Sequence, residues 1–480
     1  MLLQGFPIRS VWLFCTLPMK PLFHSIFPTL AATLFLSTSL PAGEPAVAPF
    51  HDGDVVGFVG DSITRGGIYH ANIQLFYALR YPTMGLTCYN VGRSGDVASG
   101  TLKRLDWELL VHKPTAATVM LGMNDMGGSF YTEGTTDAQA EERMRTRVES
   151  VAANYERLVT ALEKAGARLT LIGPSIFDDT AKLVKPTDKG RNHALALWSA
   201  RVKTIATQHH ADYVDFQAPM TEINLAQQAK DPAFTLVGQD RVHPGPVGHL
   251  IMAELFLKAQ GHSPFVAKAE LDAPKAAATG TVNCTLAGVK GDANGLEFDY
   301  TAKSLPFPVA GAAKPALAMV PFMKELNQEL LIVKGLAAGR YDLKIDGKTV
   351  GDYSAEELAA GTNLAENEKT PQFRQALLVS KANDERHNIE SNDLRGIAFV
   401  RSTMLEPAHV NMDDAPAVEK AFADYKAKHP DPKDFGNAMI RLWPKWRADQ
   451  KKNEDALAAA HATMKKESQP KPHHITLVRH

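Results

Sequence analysis

The first half of the chain alternates short apolar runs with longer segments in which apolar residues recur every three or four positions. The short runs predict buried strands, and the longer periodicity predicts amphipathic helices. The predicted strands are Val55–Val59, Leu86–Val91, Ala117–Leu121, Arg168–Ile172 and Ala211–Asp215. The predicted helices are Ala71–Arg80, Gly100–His112, Glu141–Ala165, His193–His209 and Val247–Ala259. Regular alternation favours parallel strands with right-handed crossovers, and therefore an α/β fold built as a three-layer α/β/α sandwich.

The pattern changes after residue 262. Residues 263–280 are rich in Ala, Lys and Pro and are predicted to be a linker. Residues 281–353 contain short strand-like runs and a hairpin turn at Asp346-Gly347, which predicts a β-rich region. Residues 354–450 have helical periodicity, and residues 451–480 are polar enough to predict a frayed helix and a loose tail.

The N-terminal residues have the features of an export signal. Lys20 precedes an apolar stretch from Thr29 to Leu40, and small residues follow around Ala42. We therefore predict a signal peptide over residues 1–42, with Met1 or Met19 as the start, and an exported protein in the periplasm or outside the cell. The alternative is an uncleaved anchor, but the apolar stretch is shorter than the ~20 residues that a spanning helix needs.

Composition narrows the classes of partner. The 480 residues include 52 basic and 53 acidic side chains, so charge gives no reason to expect a nucleic acid or an anionic membrane as partner. After removal of a signal peptide two cysteines remain, Cys88 and Cys284, which could be free thiols or a disulfide. No Cys/His cluster has the spacing of a zinc site, so no metal is expected.

Four short stretches carry the chemistry of one catalytic site. They are Gly60-Asp61-Ser62-Ile63, Asn90-Val91-Gly92-Arg93-Ser94-Gly95-Asp96, Gly122-Met123-Asn124-Asp125 and Asp240-Arg241-Val242-His243. They offer a serine hydroxyl, a small residue whose N–H can approach an oxygen closely, a side-chain amide, and an imidazole three residues from a carboxylate. These are the parts of a nucleophile, an oxyanion hole, a general base and its orienting acid.

The predicted fold brings these residues together. Ser62, Gly95 and Asn124 each follow the end of a different predicted strand. Because ligands bind beyond the carboxyl ends of parallel strands, the three residues are expected to meet at one edge of the sheet.

With these four blocks in order, residues 50–262 resemble the GDSL-type (SGNH) serine hydrolases, with Ile63 in place of the Leu that names the family. The resemblance implies a flavodoxin-like, mostly parallel five-stranded sheet for this catalytic domain. The later region resembles C-terminal extensions of some exported bacterial members, and no chemistry follows from that likeness.

The resemblance also implies roles for individual residues. Ser62 would be the nucleophile, His243 the general base and Asp240 the acid that orients it. The oxyanion hole would consist of the N–H of Ser62, the N–H of Gly95 and the amide of Asn124, with Gly92 as the competitor of Gly95. Asp61 and Asp125 are expected to have structural roles. Three arginine side chains are expected to lie at the solvent-exposed surface: Arg65, Arg93 and Arg241.

The expected function is that of an exported serine esterase that hydrolyses short acyl esters, above all O-acetyl esters of carbohydrate. Lysophospholipids, thioesters or aryl esters are alternative substrates, and a binding module that has lost turnover is a further alternative. The chemistry needs no metal or organic cofactor. The expected partner is a small-molecule or oligosaccharide ester, without nucleic acid and without stable membrane association.

Overall fold

A parallel five-stranded sheet forms the centre of the first half of the protein. The computed structural model describes residues 45–480. The strands are β1 (Val55–Gly60), β2 (Thr87–Gly92), β3 (Ala116–Met120), β4 (Arg168–Gly173) and β5 (Asp212–Asp215). They lie side by side in the order β2-β1-β3-β4-β5, and every pairing is parallel. The flavodoxin-like α/β/α sandwich predicted from the sequence is confirmed.

Helices connect these strands. They are α1 (Ser62–Gly66), α2 (Ile68–Arg80), α3 (Ala98–Leu102), α4 (Leu105–Glu108), α5 (Asp137–Lys164), α6 (Arg191–Gln208), α7 (Gln217–Gln228) and α8 (Pro246–Ala259). The single helix predicted over Gly100–His112 is instead divided into α3, α4 and a 3₁₀ turn at Leu110–His112. Helix α7 was not predicted, because its buried residues include Gln217 and Asn224 and therefore give no apolar periodicity.

The linker predicted for residues 263–280 is wrong. The structure has two paired strands there, β6 (Phe265–Asp272) and β7 (Ala277–Val282). In β6 the residues alternate between a buried face, which contains Ala267 and Leu271, and a face where Lys268 pairs with Glu270. Ala and Lys are uncommon in strands, so composition concealed a period of two that the sequence does contain.

Strand β6 begins a β-sandwich. The other strands are β8 (Cys284–Asp292), β9 (Gly295–Ala302), β10 (Gln328–Lys334), β11 (Arg340–Ile345), β12 (Lys348–Ser354), β13 (Thr362–Asn363) and β14 (His473–Arg479). One sheet has the order β13-β10-β6-β7 and the other the order β12-β11-β14-β9-β8. Apolar side chains of both sheets form one buried cluster, so the two sheets stabilise each other.

The chain between β9 and β14 adds helices to this sandwich. Helix α9 (Phe322–Leu326) and helix α10 (Ala355–Ala360) are short, whereas α11 (Pro371–Asn388), α12 (Arg395–Val400), α13 (Ala415–Lys428) and α14 (Phe435–Glu467) form the predicted helical region. Two π-helical segments, Ile389–Leu394 and Arg401–Leu405, flank α12. Buried residues of this part, among them Val379 and Met464, belong to the same core as the parallel sheet.

The tail predicted for residues 451–480 is not loose. Helix α14 continues to Glu467, and β14 then lies between β9 and β11 in the middle of its sheet. Ile475 and Leu477 point into the core, whereas Val478 is 41% exposed. The alternation in this strand is short and follows a polar stretch, which is why the sequence suggested a tail.

Three further observations concern the predicted signal peptide, the cysteines and the expected absence of a metal site. The predicted signal peptide, residues 1–42, lies outside the described residues. Cys88 and Cys284 are both buried free thiols. Within residues 45–480, no helix has the length and apolarity needed to cross a bilayer, and no group of three or more His, Cys, Asp or Glu side chains is placed to hold a metal ion.

The central position of β14 predicts a large effect of Leu477→Ala. Leu477 is 1% exposed and pairs with strands on both sides, so the substitution should lower the free energy of unfolding by about 2–5 kcal/mol. The matched control, Val478→Ala, should change it by less than about 0.5 kcal/mol. Denaturant unfolding measures both values, and equal losses in the two variants would contradict the placement of β14.

Candidate active site

Ser62 is presented by the turn between β1 and α1. Strand β1 ends at Gly60, and Asp61 caps α1 by accepting a hydrogen bond from the N–H of Ile63 at 2.9 Å. Ser62 is therefore the first residue of the helix, where a backbone N–H has no partner within the helix. Its hydroxyl lies at the carboxyl edge of the parallel sheet, as the sequence predicted.

His243 contacts Ser62 directly. The Nε2 atom of His243 lies 2.7 Å from Ser62 Oγ, and its Nδ1 atom lies 2.5 Å from Asp240 Oδ2. Together these contacts allow the serine hydroxyl to donate to Nε2 while Nδ1–H donates to the carboxylate. Residues 181 positions apart in the sequence are thus joined in one hydrogen-bonded chain.

The loop before α8 holds Asp240 in place. Its Oδ1 atom accepts hydrogen bonds from the N–H groups of Val242 and His243, each at 3.0 Å, which leaves Oδ2 for the imidazole. Burial alone would raise the pKa of Asp240, but the hydrogen bonds from the His243 side chain and from the two N–H groups outweigh it. The pKa therefore lies below its ordinary value, and the carboxylate is charged when it faces the ring.

Arg241 anchors this loop and is not at the solvated surface, contrary to our expectation. It is 3% exposed, and its guanidinium donates to the carbonyl oxygens of Asp178, Ala181 and Lys185 at 2.8–3.1 Å. Its backbone has a φ of +69°, which strains a residue with a side chain. The four hydrogen bonds compensate for this strain and fix the residue that lies between Asp240 and His243.

The structure distinguishes the two glycines that compete for the oxyanion hole. Gly92 is buried, and its N–H donates to Asn90 Oδ1 at 2.9 Å, so this N–H is already used. Gly95 is exposed with a φ of +73°, and no residue within 45–480 accepts a hydrogen bond from its N–H. Gly95 therefore has the donor that is free for a ligand.

Asn124 lies beside the same loop. Its Nδ2 donates to the backbone oxygen of Asp96 at 2.9 Å, which orients the amide towards the residue that follows Gly95. An Asn side chain has two N–H donors, so the second remains for a substrate oxygen.

The loop that contains Gly95 follows β2, which is an edge strand of the parallel sheet. Side chains from the C-terminal helical region occupy its open edge. Glu390 accepts from the N–H of Asn90 at 3.0 Å, and Arg395 donates from Nε to the carbonyl oxygen of Gly92 at 2.9 Å. Arg395 also pairs with the buried Glu108. An edge that would otherwise expose unpaired peptide groups is closed by two charged side chains.

Arg93, the next residue, joins the loop to the same region. Its guanidinium donates to Ser402 Oγ at 3.0 Å and to Thr403 Oγ1 at 2.9 Å, and it pairs with Asp96 at 3.2 Å. It lies over the ring of Phe399, 5.2 Å from the ring centre. Arg93 is therefore a structural bridge between the two parts, where we had expected solvated surface.

The other side of the loop is fixed by buried charges. Arg104 is 2% exposed and pairs with Asp96 at 2.6 Å and with Glu108. Replacing one partner of such a buried cluster leaves an uncompensated charge, which costs about 3–5 kcal/mol. The position of Gly95 is thus determined by interactions on both flanks.

Two further carboxyls near Ser62 lie in an apolar environment. Burial raises the pKa of Asp61 to about 7 and that of Asp125 to about 6. Asp61 caps α1, and the carbonyl oxygen of Asp125 accepts a hydrogen bond from Arg147 at 3.1 Å. Both contacts are structural, as expected. Arg65, the third arginine assigned to the surface, is partly buried, which lowers its pKa.

A cleft of about 730 Å³ opens beside Gly95. One wall consists of the loop after β2 together with α3 and α4, and the other is the segment from Ser402 to His409. No motif or periodicity in the sequence predicted this second wall. It lies about 300 residues further along the chain, in segments without a motif.

The comparisons with known proteins identify the family of this chain. Residues 58–251 match the model of the GDSL-like lipase/acylhydrolase family. An acetylxylan esterase of Geobacillus stearothermophilus is 25% identical over 224 residues, which are 44% of this chain and 94% of the esterase. The solved structure of a gut microbial diltiazem-metabolizing enzyme is 31% identical and covers 91% of this chain and 100% of its own, with a TM-score of 0.82. The chain belongs to the GDSL-like lipase/acylhydrolase family and is a carboxylic ester hydrolase.

Proposed function

We propose that this protein hydrolyses short acyl esters of carbohydrate, above all O-acetyl esters, through an acyl-enzyme on Ser62. The observation that carries the proposal is the hydrogen-bonded chain Ser62–His243–Asp240, with contacts of 2.7 and 2.5 Å. A serine hydroxyl is a poor nucleophile by itself, and an adjacent base that is held in one orientation removes this limitation.

In the first half-reaction, Ser62 Oγ attacks the ester carbonyl carbon while His243 Nε2 accepts the hydroxyl proton. The carbonyl oxygen becomes negative and accepts hydrogen bonds from the N–H groups of Ser62 and Gly95 and from the Asn124 amide. Asp240 stabilises the imidazolium that forms. The bond to the alcohol oxygen then breaks, and His243 donates the proton to the departing alcohol.

In the second half-reaction, water attacks the acyl-enzyme in the same way. His243 accepts a proton from the water, and the second tetrahedral intermediate uses the same three donors. Its collapse releases the carboxylic acid and returns the proton to Ser62 Oγ. Every proton in this cycle moves through one ring nitrogen of His243.

The lining of the cleft beside Gly95 supports a carbohydrate alcohol. Its lining includes Ser99, Lys103, Thr403 and His409, whose polar side chains can form hydrogen bonds with the hydroxyl groups of a sugar. The relative from Geobacillus stearothermophilus is an acetylxylan esterase, which agrees with an acetyl group on a sugar.

A substrate panel tests this proposal. The wild-type protein should hydrolyse p-nitrophenyl acetate and acetylated xylo-oligosaccharides, and its kcat/KM should be far lower for p-nitrophenyl dodecanoate. A preference for the dodecanoate ester would contradict the short acyl group. Activity on p-nitrophenyl acetate without release of acetate from any acetylated saccharide would contradict the carbohydrate alcohol.

We also propose export, with residues 1–42 as a cleaved signal. The supporting observation is the Lys20, apolar stretch and Ala42 pattern in the sequence. Mass spectrometry of the protein from its native host should show a mature N-terminus near Gly43. An intact N-terminus on cytoplasmic protein would contradict it.

Ser62→Ala and His243→Ala should each lower kcat by on the order of 10⁴ to 10⁶, and the double variant should be little worse than either. The reason is that nucleophile and base act as one unit. Ser150→Ala is the matched control, because Ser150 lies on the exposed side of α5 and donates only to the Arg147 carbonyl oxygen. Near-normal hydrolysis by Ser62→Ala would disprove the nucleophile assignment.

Asn124→Ala tests the oxyanion hole separately from the catalytic triad. It should lower kcat by on the order of 10² to 10³ with little change in KM, because the amide stabilises charge that exists only in the transition state. Fluorophosphonate labelling of Ser62 should become slower and still reach completion. A normal kcat with a raised KM would instead make Asn124 a contact of the ground-state substrate.

Arg395→Met tests whether the C-terminal region positions the oxyanion loop. Loss of the bond to the Gly92 carbonyl should lower kcat by about 10- to 100-fold, because small displacements of catalytic groups cost rate. KM should change little, and Arg395→Lys should restore part of the rate. The control is Arg441→Met, because the exposed guanidinium of Arg441 donates a hydrogen bond only to the Pro432 carbonyl oxygen. Unchanged kcat in a folded Arg395→Met protein would contradict the positioning role.

A further inference from the structure

A second pocket lies in the C-terminal part, away from the residues of the active site. It has a volume of about 410 Å³ and opens between the β11–β12 hairpin, the start of β14 and the first turns of α11. None of its lining residues belongs to the hydrogen-bonded series Ser62–His243–Asp240 or to the cleft beside Gly95.

Four cationic side chains surround this pocket: Lys348, Lys369, Arg374 and Lys471. Within residues 45–480 no carboxylate pairs with any of them. Asp346 also lines the pocket, but its carboxylate pairs with His473 at 2.7 Å, and Glu368, next to Lys369 in the sequence, pairs with Lys314 at 2.7 Å. A concave surface with four unpaired cations, in a chain of net charge −1, attracts anions.

Two buried lining residues have a polar atom without a partner. Gln375 is 6% exposed, and its Nε2 donates to the carbonyl oxygens of Glu467 and Gln469, which leaves Oε1 without a donor. His473 is 8% exposed and bonds Asp346 through Nδ1, while Nε2 has no partner. Both atoms lie just beneath the pocket surface, and buried polar atoms are seldom left unsatisfied, so a ligand hydroxyl group that reaches them would give each a hydrogen-bond partner.

The remaining lining is apolar or belongs to a helix N-terminus. Val350, Leu378 and Pro371 offer a surface for the C–H face of a sugar ring. Pro371 is also the first residue of the 18-residue helix α11, so the positive end of its dipole lies at the pocket.

We propose that this pocket binds an acidic saccharide, whose carboxylates pair with the four cations and whose hydroxyl groups bond Gln375 and His473. A uronic acid residue has the required combination of one charge, several hydroxyl groups and a flat apolar face. The pocket would hold a carboxylated oligosaccharide independently of the reaction at Ser62.

Isothermal titration calorimetry of the full chain at low salt tests this, with trigalacturonate as the probe. Neutral galactotriose and inorganic phosphate are the two comparison ligands, because they separate the sugar ring from the charge. Trigalacturonate should bind, and added salt should weaken the binding. Neither comparison ligand should bind as tightly.

The variant Arg374→Gln/Lys471→Gln should weaken trigalacturonate binding at least ~10-fold, because two of the cations are removed. Both side chains are exposed, so folding should be preserved, and hydrolysis of p-nitrophenyl acetate should be unchanged. The control Lys230→Gln/Lys426→Gln changes two exposed lysines and the net charge by the same amount. It should bind as the wild type does.

Three results would overturn the proposal. They are the absence of trigalacturonate binding, equal weakening in both double variants, and binding of phosphate as tight as that of the saccharide. The last result would reduce the pocket to a simple oxyanion site. A loss of binding only in Arg374→Gln/Lys471→Gln, together with the preference for the acidic saccharide, would establish the pocket as an acidic-saccharide site.

Discussion

The open edge of β2 is the constraint on which the site depends most. This strand ends at Gly92, three residues before the glycine whose N–H is free for a substrate oxygen, and no further strand pairs with its outer side. Glu390 and Arg395 instead form hydrogen bonds with two of its peptide groups, the N–H of Asn90 at 3.0 Å and the carbonyl oxygen of Gly92 at 2.9 Å. Peptide groups left unpaired there would permit movement of the loop, and a displacement of about 1 Å can lower a catalytic rate by on the order of 10²-fold. The C-terminal helices therefore contribute to the order of the active site.

Further contacts hold the later regions against the parallel sheet. Val379 and Met464 lie in its hydrophobic core, and Asn383 donates to the carbonyl oxygen of Ala71 on α2 at 3.1 Å. Apolar packing supplies most of the stabilisation of such a contact. One wall of the cleft beside Gly95 thus belongs to a region that contains none of the family motifs.

The sequence was sufficient for the parallel sheet and for the residues at its carboxyl edge. Val55–Gly60 and its neighbours are apolar runs, and Ser62, Gly95 and Asn124 follow such runs directly, so local pattern and topology agree. The partners of β2 could not be predicted, because Glu390 and Arg395 are about 300 positions away and have no periodic signal. Strand β6 was missed for a different reason: its alternation is built from Ala, Lys and Glu, which favour helices or loops.

The most direct test of the catalytic account is a crystal structure of the wild-type protein after inactivation by diethyl p-nitrophenyl phosphate. The phosphorus should be bonded to Ser62 Oγ, with the phosphoryl oxygen about 2.7–3.1 Å from the N–H groups of Ser62 and Gly95 and from Asn124 Nδ2. The loop after β2 should retain its bonds to Glu390 and Arg395. An adduct on another residue, or a phosphoryl oxygen directed away from all three donors, would contradict the account.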